Sequence, residues 1–553
     1  MARTATRSVV SVRNGSVIRK EGDVLMRLQT VGLAGHSLRA REILRSGAAI
    51  AVATSLCVSM QARAAGPSDC SGLAAPSQVG VIRNTTITSA TYVTSSTGNY
   101  CEVAATVAPE HDVIVRLPDN WSGRFLELGG GGFDGFIPNL SAPFALAAED
   151  PVANGFAVAG DNGGHRQAQY PGASFAVDRG LTLSYASAKI FDTNLVAKAL
   201  IQTYYGQPAR YRYFSGCSNG GKNASVAAAN FPDDFDGVIG GDGVWGHAEE
   251  GVGGSDMTGV TSKWSQSVQV GALSPAKGAA LYNATVQACD ALDGLKDGVV
   301  SNVQACPFMQ IAESLRCPGS DTGSCLTGSD LAKIKAHTSP LLREHEVIGA
   351  PWAGTANLAN VGGSGLPSGF LELAFRTPTP IDPLTYDIPT QFDDVKAAFD
   401  GVYSMTGSLE GVVKYLGRGK KLFLYHGWED TVVPSYVSIN FFTAVERSNP
   451  EASGNGRLYM APGVQHCAGG PGADSMDLLT VMTTWVEKNI APGTPANPTV
   501  AWKQGSGSSP PGLSGAQFSR PLCAYPQYPH YTGSGDPNQA ANFVCRTGPS
   551  RQP

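Results

Sequence analysis

The chain is short of net charge, of long apolar runs and of repetition. Of its 553 residues, 40 are Lys or Arg and 45 are Asp or Glu, a formal charge of −5 at pH 7. The two signs are interspersed. There is no basic stripe to follow a phosphate backbone and no polybasic patch to hold anionic lipid, so nucleic acid is not an expected partner. The apolar run 47–60 is too short and too alanine-rich for a membrane span, so no stable membrane association is expected. Internal repeats and heptads are absent, which argues against solenoids and coiled coils. Cysteines and histidines show no zinc-ligand spacing. What is present is 42% hydrophobic content, enough for a full core. The length suits two or three domains, or one domain with a large insertion.

The N-terminus reads as an address. Arg39, Arg41 and Arg45 precede the apolar run, and Ala62-Arg63-Ala64 supplies an A-x-A cleavage site. Residues 1–65 are therefore expected to form an N-terminal extension and export signal, cut near Ala64. The stretch before the run is long for such a signal, so Met26 is an alternative start, and the first 25 residues read as disordered. Cys57 lies inside the run without a lipoprotein pattern around it. Of eleven cysteines this leaves ten. An even number in a secreted or periplasmic chain reads as five disulfides, with connectivity open at this point.

Strand-like runs at 113–117, 124–128, 156–159, 211–214, 238–239, 421–425 and 457–460 alternate with helical stretches at 183–203, 223–230 and 474–489. Such alternation predicts an α/β fold, with a mostly parallel sheet covered on both faces. It lapses in 244–395, which is rich in Gly, Ser, Pro and Thr. That segment reads as an inserted lid domain between a first core part, 66–243, and a second, 396–553. After about Pro492 the chain turns to Pro, Gly and Ser, and Cys523 and Cys545 read as closing a terminal cap. The sequence sets no oligomeric state.

Gly216-Cys217-Ser218-Asn219-Gly220 fits the G-x-S-x-G elbow, in which a strained strand-to-helix turn lifts a nucleophilic serine above a sheet. Acyl transfer by that serine needs a base, and an anion to orient the base. In hydrolases with this elbow the chain order is Ser, acid, His. The acid falls after the strand at 421–425, at Glu429 or Asp430. His466 follows a predicted strand and Ala461-Pro462-Gly463, precedes the last helix, and is the one histidine next to a cysteine, Cys467. His426 reads as structural, and Glu429 as a surface or hydrogen-bonding carboxylate. An oxyanion hole requires two backbone N–H groups. One is expected from Asn219. The other is expected from the glycine loop at 129–132, at Gly132 with Gly131 close behind. No Lys-Ser/Thr follows those glycines, so a phosphate loop is discounted. Finally, Asp290, Asp293 and Asp297 place three carboxylates over eight residues, a pattern suited to calcium. It is not an EF-hand, because the twelfth-position glutamate is missing.

Two dipeptides some 250 residues apart, Cys217-Ser218 and His466-Cys467, carry a resemblance. The chain resembles the tannase and feruloyl esterase family of secreted α/β-hydrolases, which includes the mono(hydroxyethyl) terephthalate hydrolases. The resemblance extends over nearly everything after about residue 66. It implies an α/β-hydrolase fold with a large inserted lid. It selects Asp430 as the acid and implies a Cys217–Cys467 disulfide. With local spacing it suggests Cys70–Cys101, Cys289–Cys306, Cys317–Cys325 and Cys523–Cys545. It implies a structural Ca2+ in the lid, held by Asp290, Asp293 and Asp297 side chains and by Leu295 and Val299 carbonyls. It implies an esterase acting on small aromatic esters such as feruloyl, caffeoyl or galloyl compounds. Tannase and terephthalate-monoester hydrolase activities stand as alternatives, as do a peptidase on the same fold and a non-catalytic binding module. The chain departs from the family pattern at Asn219, often Thr or Glu, at Lys222, commonly Arg, and at Gly240-Gly241-Asp242-Gly243, more usually Ala-Gly-Ala-Pro. Terephthalate-specific relatives carry a lid arginine. Here no Lys or Arg occurs over 344–375, Arg376 is the first after that gap, and Trp352, Phe370 and Phe375 are expected to meet an uncharged aromatic ring.

Overall fold

The computed structural model describes residues 66–75, 82–142, 150–246, 253–362, 365–504 and 516–548. The export signal, its cleavage site, Met26 and Cys57 lie outside them. Nine strands form the main sheet: β1 (Thr85–Val93), β2 (Tyr100–Val107), β3 (His111–Pro118), β4 (Arg124–Leu128), β5 (Phe156–Asp161), β6 (Tyr211–Cys217), β7 (Gly237–Gly241), β10 (Lys421–Gly427) and β11 (Gly456–Ala461). Their order is β1-β2-β3-β5-β4-β6-β7-β10-β11. The first three are antiparallel, and everything from β5 to β11 runs parallel.

The side-chain pattern explains why this sheet is central. Phe214, Val238, Leu422, Leu424 and Leu458 join one apolar cluster, whereas their neighbours Tyr213, Ile239, Phe423, Tyr425 and Tyr459 join another. Consecutive residues of a strand point to opposite faces, so a strand apolar at every position must be covered on both. Helices Lys189–Tyr205, Asn219–Asn230, Tyr436–Ser448 and Leu478–Lys488 supply that cover. This is the α/β-hydrolase arrangement.

The segment between β7 and β10 is mainly helical. It includes helices Met257–Val270, Pro275–Cys289, Gly328–Thr338 and Leu366–Phe375 and a small hairpin, β8 (Leu341–Arg343) with β9 (Glu346–Gly349). Strand alternation lapses there because helix follows helix. Trp264, Trp352, Phe370 and Phe399 from this segment share one apolar cluster with Phe214 and Val238 of the sheet. Downstream, β12 (Ser475–Met476), β13 (Val500–Gln504) and β14 (Ala516–Pro521) form a small sheet, and β15 (Gln527–Tyr531) pairs with β16 (Phe543–Thr547).

Three local expectations are corrected. The stretch 183–203 is not one regular helix, because a π turn at Ser184–Ala188 precedes the helix from Lys189. The last helix begins at Leu478 instead of 474, where Asp477 caps Thr480 and Ser475–Met476 pairs with β13. Strands β1 and β2 were not foreseen. Five disulfides close, Cys70–Cys101, Cys217–Cys467, Cys289–Cys306, Cys317–Cys325 and Cys523–Cys545, the same pairs that spacing and resemblance suggested. Among the described residues no helix is long and apolar enough to cross a membrane.

Candidate active site

Ser218 lies between the end of β6 and the first residue of helix Asn219–Asn230, with φ 63° and ψ −119°. A non-glycine residue there is strained, and such strain persists only when the surroundings dictate it. The surroundings do. Ser218 N–H donates to the Gly241 carbonyl (3.0 Å), and Gly220 N–H to the Gly130 carbonyl (2.8 Å). A Cβ on Gly216 would lie 2.6 Å from Gly220 Cα, and one on Gly129 would lie 2.7 Å from it. Glycine is thus required where the elbow helix approaches β6 and the loop after β4.

Asp430 follows β10 and is fully buried. Its Oδ1 accepts from Val432 N–H (2.6 Å) and Val433 N–H (2.9 Å). Its Oδ2 meets His466 Nδ1 at 2.7 Å and His426 Nε2 at 3.2 Å. Burial alone would raise its carboxyl, but the two imidazoles and their hydrogen bonds hold it far below the usual range. His466 answers in the opposite sense. Burial disfavours its imidazolium, but the Asp430 charge and hydrogen bond, with Asp242 behind, outweigh that and raise it to about 9. The two loops are joined by backbone, since Glu429 N–H donates to the Val464 carbonyl (2.9 Å). They are joined to the elbow covalently through Cys217–Cys467.

Both expected oxyanion donors border the same pocket as Ser218. Asn219 opens the helix, where backbone N–H groups have no intrahelical partner. Gly132 adopts φ +56°, and Tyr185 Oη–H donates to its carbonyl (2.9 Å). The rest of the pocket is Lys222, Val244, Met257, Trp264, Leu366, Phe370 and Val433.

Other expectations need correcting. Of the three lid aromatics, only Phe370 lines this pocket. Trp352 is buried, donates its indole N–H to Ser267 Oγ (3.1 Å), and borders a separate cleft. Phe375 packs against the core. The pocket does contain a basic side chain, from the elbow helix and not from the lid. Lys222 Nζ donates to the Tyr185 (3.3 Å) and Ala186 (3.4 Å) carbonyls, and burial with nearby Lys189 lowers it to about 7. Of the two readings of Glu429 the hydrogen-bonding one holds and the surface one does not: it is buried, takes the Tyr282 hydroxyl at 3.2 Å, and is pushed up by burial to about 7.

Sequence reasoning missed Asp242, which is fully buried at φ 42°, accepts from Gly427 N–H (2.9 Å), and lies 3.7 Å from His426 Nε2. His426 is structural, as expected, with a specific task. Trp245 Nε1–H donates to Ser438 Oγ (2.7 Å), and Ser438 Oγ meets His426 Nδ1 (2.7 Å). A serine that accepts from the indole can give its own proton to Nδ1, which leaves Nε2–H between the Val433 carbonyl (3.2 Å) and Asp430 Oδ2 (3.2 Å).

The acidic loop is folded on itself. Asp290 accepts from Asp297 and Gly298 N–H (3.2 and 3.1 Å), and Asp293 from Leu295 N–H (3.1 Å). Asp297 accepts from Val299 N–H (3.1 Å) and pairs with Arg520 Nη2 (2.5 Å). The three aspartates are not among the groups of the described residues whose ligand atoms all lie within 4.8 Å of one another. The loop is distant from Ser218 and His466 in sequence, but it approaches the His466 loop in space: a Cβ on Gly463, three residues before His466, would come 3.0 Å from Val299 Cγ1.

The family model described as tannase and feruloyl esterase matches residues 93–347 and 357–546. The chain belongs to the tannase and feruloyl esterase family. It is 33% identical over 466 residues to a "Probable feruloyl esterase" of Arthroderma benhamiae, covering 78% of this chain and 82% of that one. It is 28% identical over 532 residues to the mono(2-hydroxyethyl) terephthalate hydrolase of Piscinibacter sakaiensis, covering 81% and 85%. The feruloyl esterase B structure from Aspergillus oryzae superposes with a TM-score of 0.71 at 22% identity, over 87% of this chain and 100% of that one. Like its esterase relatives, this family member is a carboxylic ester hydrolase.

The disulfide between the elbow and the His466 loop generates a prediction. Replacing Cys217 and Cys467 together by Ala should lower stability, by about 5 kcal/mol in the chain-entropy model for so long a loop. It should also reduce ester turnover on the order of 100-fold through misplacement of the two loops. Denaturation midpoints and kcat on a common ester measure both, and a variant unchanged in each would refute it.

Proposed function

We propose that this chain is an exported serine esterase acting on small aromatic carboxylic esters of the feruloyl or chlorogenate type. The observation that carries the proposal is the strained, half-buried Ser218 tied by Cys217–Cys467 to the loop whose His466 meets buried Asp430 at 2.7 Å. Ser218 Oγ attacks the ester carbonyl and His466 takes its proton. Asp430 accepts the Nδ1–H bond and stabilises the imidazolium. The Asn219 and Gly132 N–H groups receive the developing oxyanion. His466 then protonates the departing alcohol, and a water activated by the same imidazole hydrolyses the acyl-enzyme. The segment between β7 and β10 acts as the lid, since its Met257, Trp264, Leu366 and Phe370 form the apolar wall beside Ser218. Such a wall suits an aromatic acyl group.

Calcium is proposed as the structural ion of the acidic loop. The donors are oxygen only, as a hard cation needs. Burial, and then the neighbouring Asp297 and Asp290 charges, push Asp293 up to about 6, an imbalance that a cation would relieve. Arg520 already provides part of that balance at Asp297. Asp290, Asp293 and Asp297, with the Leu295 and Val299 carbonyls, would hold the ion, which supplies cross-linking and charge balance to the loop.

Three outcomes test the reading. Ser218→Ala should abolish ester hydrolysis in a folded protein, and activity within about tenfold of the parent would remove Ser218 as nucleophile. Chelation should lower Tm by about 5 °C or more while changing turnover at room temperature less. Metal analysis finding no calcium in protein purified without chelator would count against the ion. For substrate choice, the Lys222 ammonium is committed to two carbonyls, and Arg376 donates to the Val177 carbonyl (3.5 Å) outside the pocket lining. Methyl ferulate or chlorogenate should therefore exceed mono(hydroxyethyl) terephthalate in kcat/KM by at least about tenfold, roughly 1.4 kcal/mol. Equal or better turnover of the terephthalate ester would show that Lys222 reaches its carboxylate.

A further inference from the structure

The two oxyanion donors come from different parts of the chain. The Asn219 N–H belongs to the elbow helix, and the Gly132 N–H to the loop after β4. Stabilising one oxygen with both requires their separation to be fixed, because misplacement of about 1 Å costs on the order of 100-fold in rate. Backbone supplies one tie, Gly220 N–H to the Gly130 carbonyl. The side chains supply another. Asp134, two residues beyond Gly132, has a fully buried carboxylate. Its Oδ1 accepts from Asn219 Nδ2 at 2.5 Å, and its Oδ2 accepts from buried Lys189 Nζ.

Three features argue that this is more than a buried ion pair. The residue that Asp134 holds is the one whose backbone faces the oxyanion. Asp134 itself sits at φ 49°, in the left-handed region that a non-glycine residue enters only when held there. The network also returns to the other donor. The Lys189 ammonium lies 5.4 Å from the centre of the Tyr185 ring, and the Tyr185 hydroxyl holds the Gly132 carbonyl. Lys189 has a second carboxylate, Asp161 Oδ1, at 3.9 Å, which helps to keep the lysine charged. Burial still pushes the Asp134 carboxyl up, against the opposing Lys189 charge and the hydrogen bonds from Lys189 and Asn219.

We infer that Asp134 is a positioning residue for ester hydrolysis: its carboxyl, held between Lys189 and Asn219, clamps the Asn219 side chain and thereby sets the oxyanion hole. The inference rests on the serine-esterase reading above. A clamp of this kind acts on the tetrahedral state and leaves ground-state binding nearly unchanged.

The test uses Asn219→Ala, which removes the clamp but keeps the backbone N–H and the Asp134–Lys189 pair, so the fold is retained. With a phenyl or feruloyl ester, kcat should fall about 10- to 100-fold while KM stays within about twofold. Affinity for phenylboronic acid, which becomes tetrahedral on a reactive serine, should fall by a similar factor, and affinity for the carboxylic acid product should not. Asp134→Ala should show the same split, and the double variant should be no worse than the poorer single one, because the two residues act as a unit. If Asp134→Ala does not fold, Asn219→Ala alone decides. Unchanged kcat and boronate affinity in Asn219→Ala would overturn the inference, as would additive losses in the double variant. Ser218→Ala in the same assay separates the two levels. An inactive Ser218→Ala beside a fully active Asn219→Ala defeats the clamp alone, whereas an active Ser218→Ala defeats the esterase reading itself.

Discussion

A buried anion has to have its lone pairs filled, and Asp430 shows how much structure that requirement organises. Desolvating a carboxylate costs several kcal/mol unless donors replace the water. Asp430 receives two backbone N–H groups and His466, and His426 Nε2, which also faces the Val433 carbonyl, lies 3.2 Å away. To supply the backbone pair, the chain after β10 must turn back on itself at once. To supply the second imidazole, His426 must present Nε2, and the Trp245–Ser438 relay settles that. The turn that results also sends Glu429 N–H to Val464 and so sets the height of the His466 loop. The geometry proposed for catalysis is therefore largely the geometry that keeps one carboxylate ionised inside an apolar sheet.

Other buried acids mark the contrast. Glu127 on β4 is completely buried and accepts a hydrogen bond from Asn194 Nδ2 at 3.3 Å, and burial holds its carboxyl well above the usual range. Asp134, no less buried, has an ammonium against it. Burial pushes both carboxyls up, and at Asp134 a hydrogen-bonded ammonium opposes that push. The acid with the ammonium lies beside the elbow.

Short-range chemistry was the legible part of this chain. A strained serine turn needs glycines at fixed offsets, so the elbow and the order of the three candidate site residues could be read in advance, whereas the disulfide pairs came from the family resemblance and local spacing and not from the cysteines alone. Central strands were legible because parallel β-strands covered on both faces are apolar throughout. Strands β1 and β2 were not: β1 reads TTITSATYV, half-exposed, where Thr and Ser dilute the period-two signal. The Asp134–Lys189 pair spans 55 residues and the Asp242–Gly427 bond spans 185, and contacts so distant leave no local trace. Trp352 was placed against substrate because the stretch 344–375 has no Lys or Arg and offers aromatic side chains instead. Its apolar bulk serves equally well as core, and that is where it lies.

The Cys217–Cys467 bond joins residues 250 positions apart. During synthesis the elbow leaves the ribosome long before its partner cysteine exists. The serine cannot be locked to the histidine loop until almost the whole polypeptide has been made and delivered to an oxidising compartment. A copy retained among cytosolic thiols would carry the same residues without the covalent tie between them. The covalent tie between the Ser218 turn and the His466 loop is thus the part of the site that depends on the redox state of its surroundings.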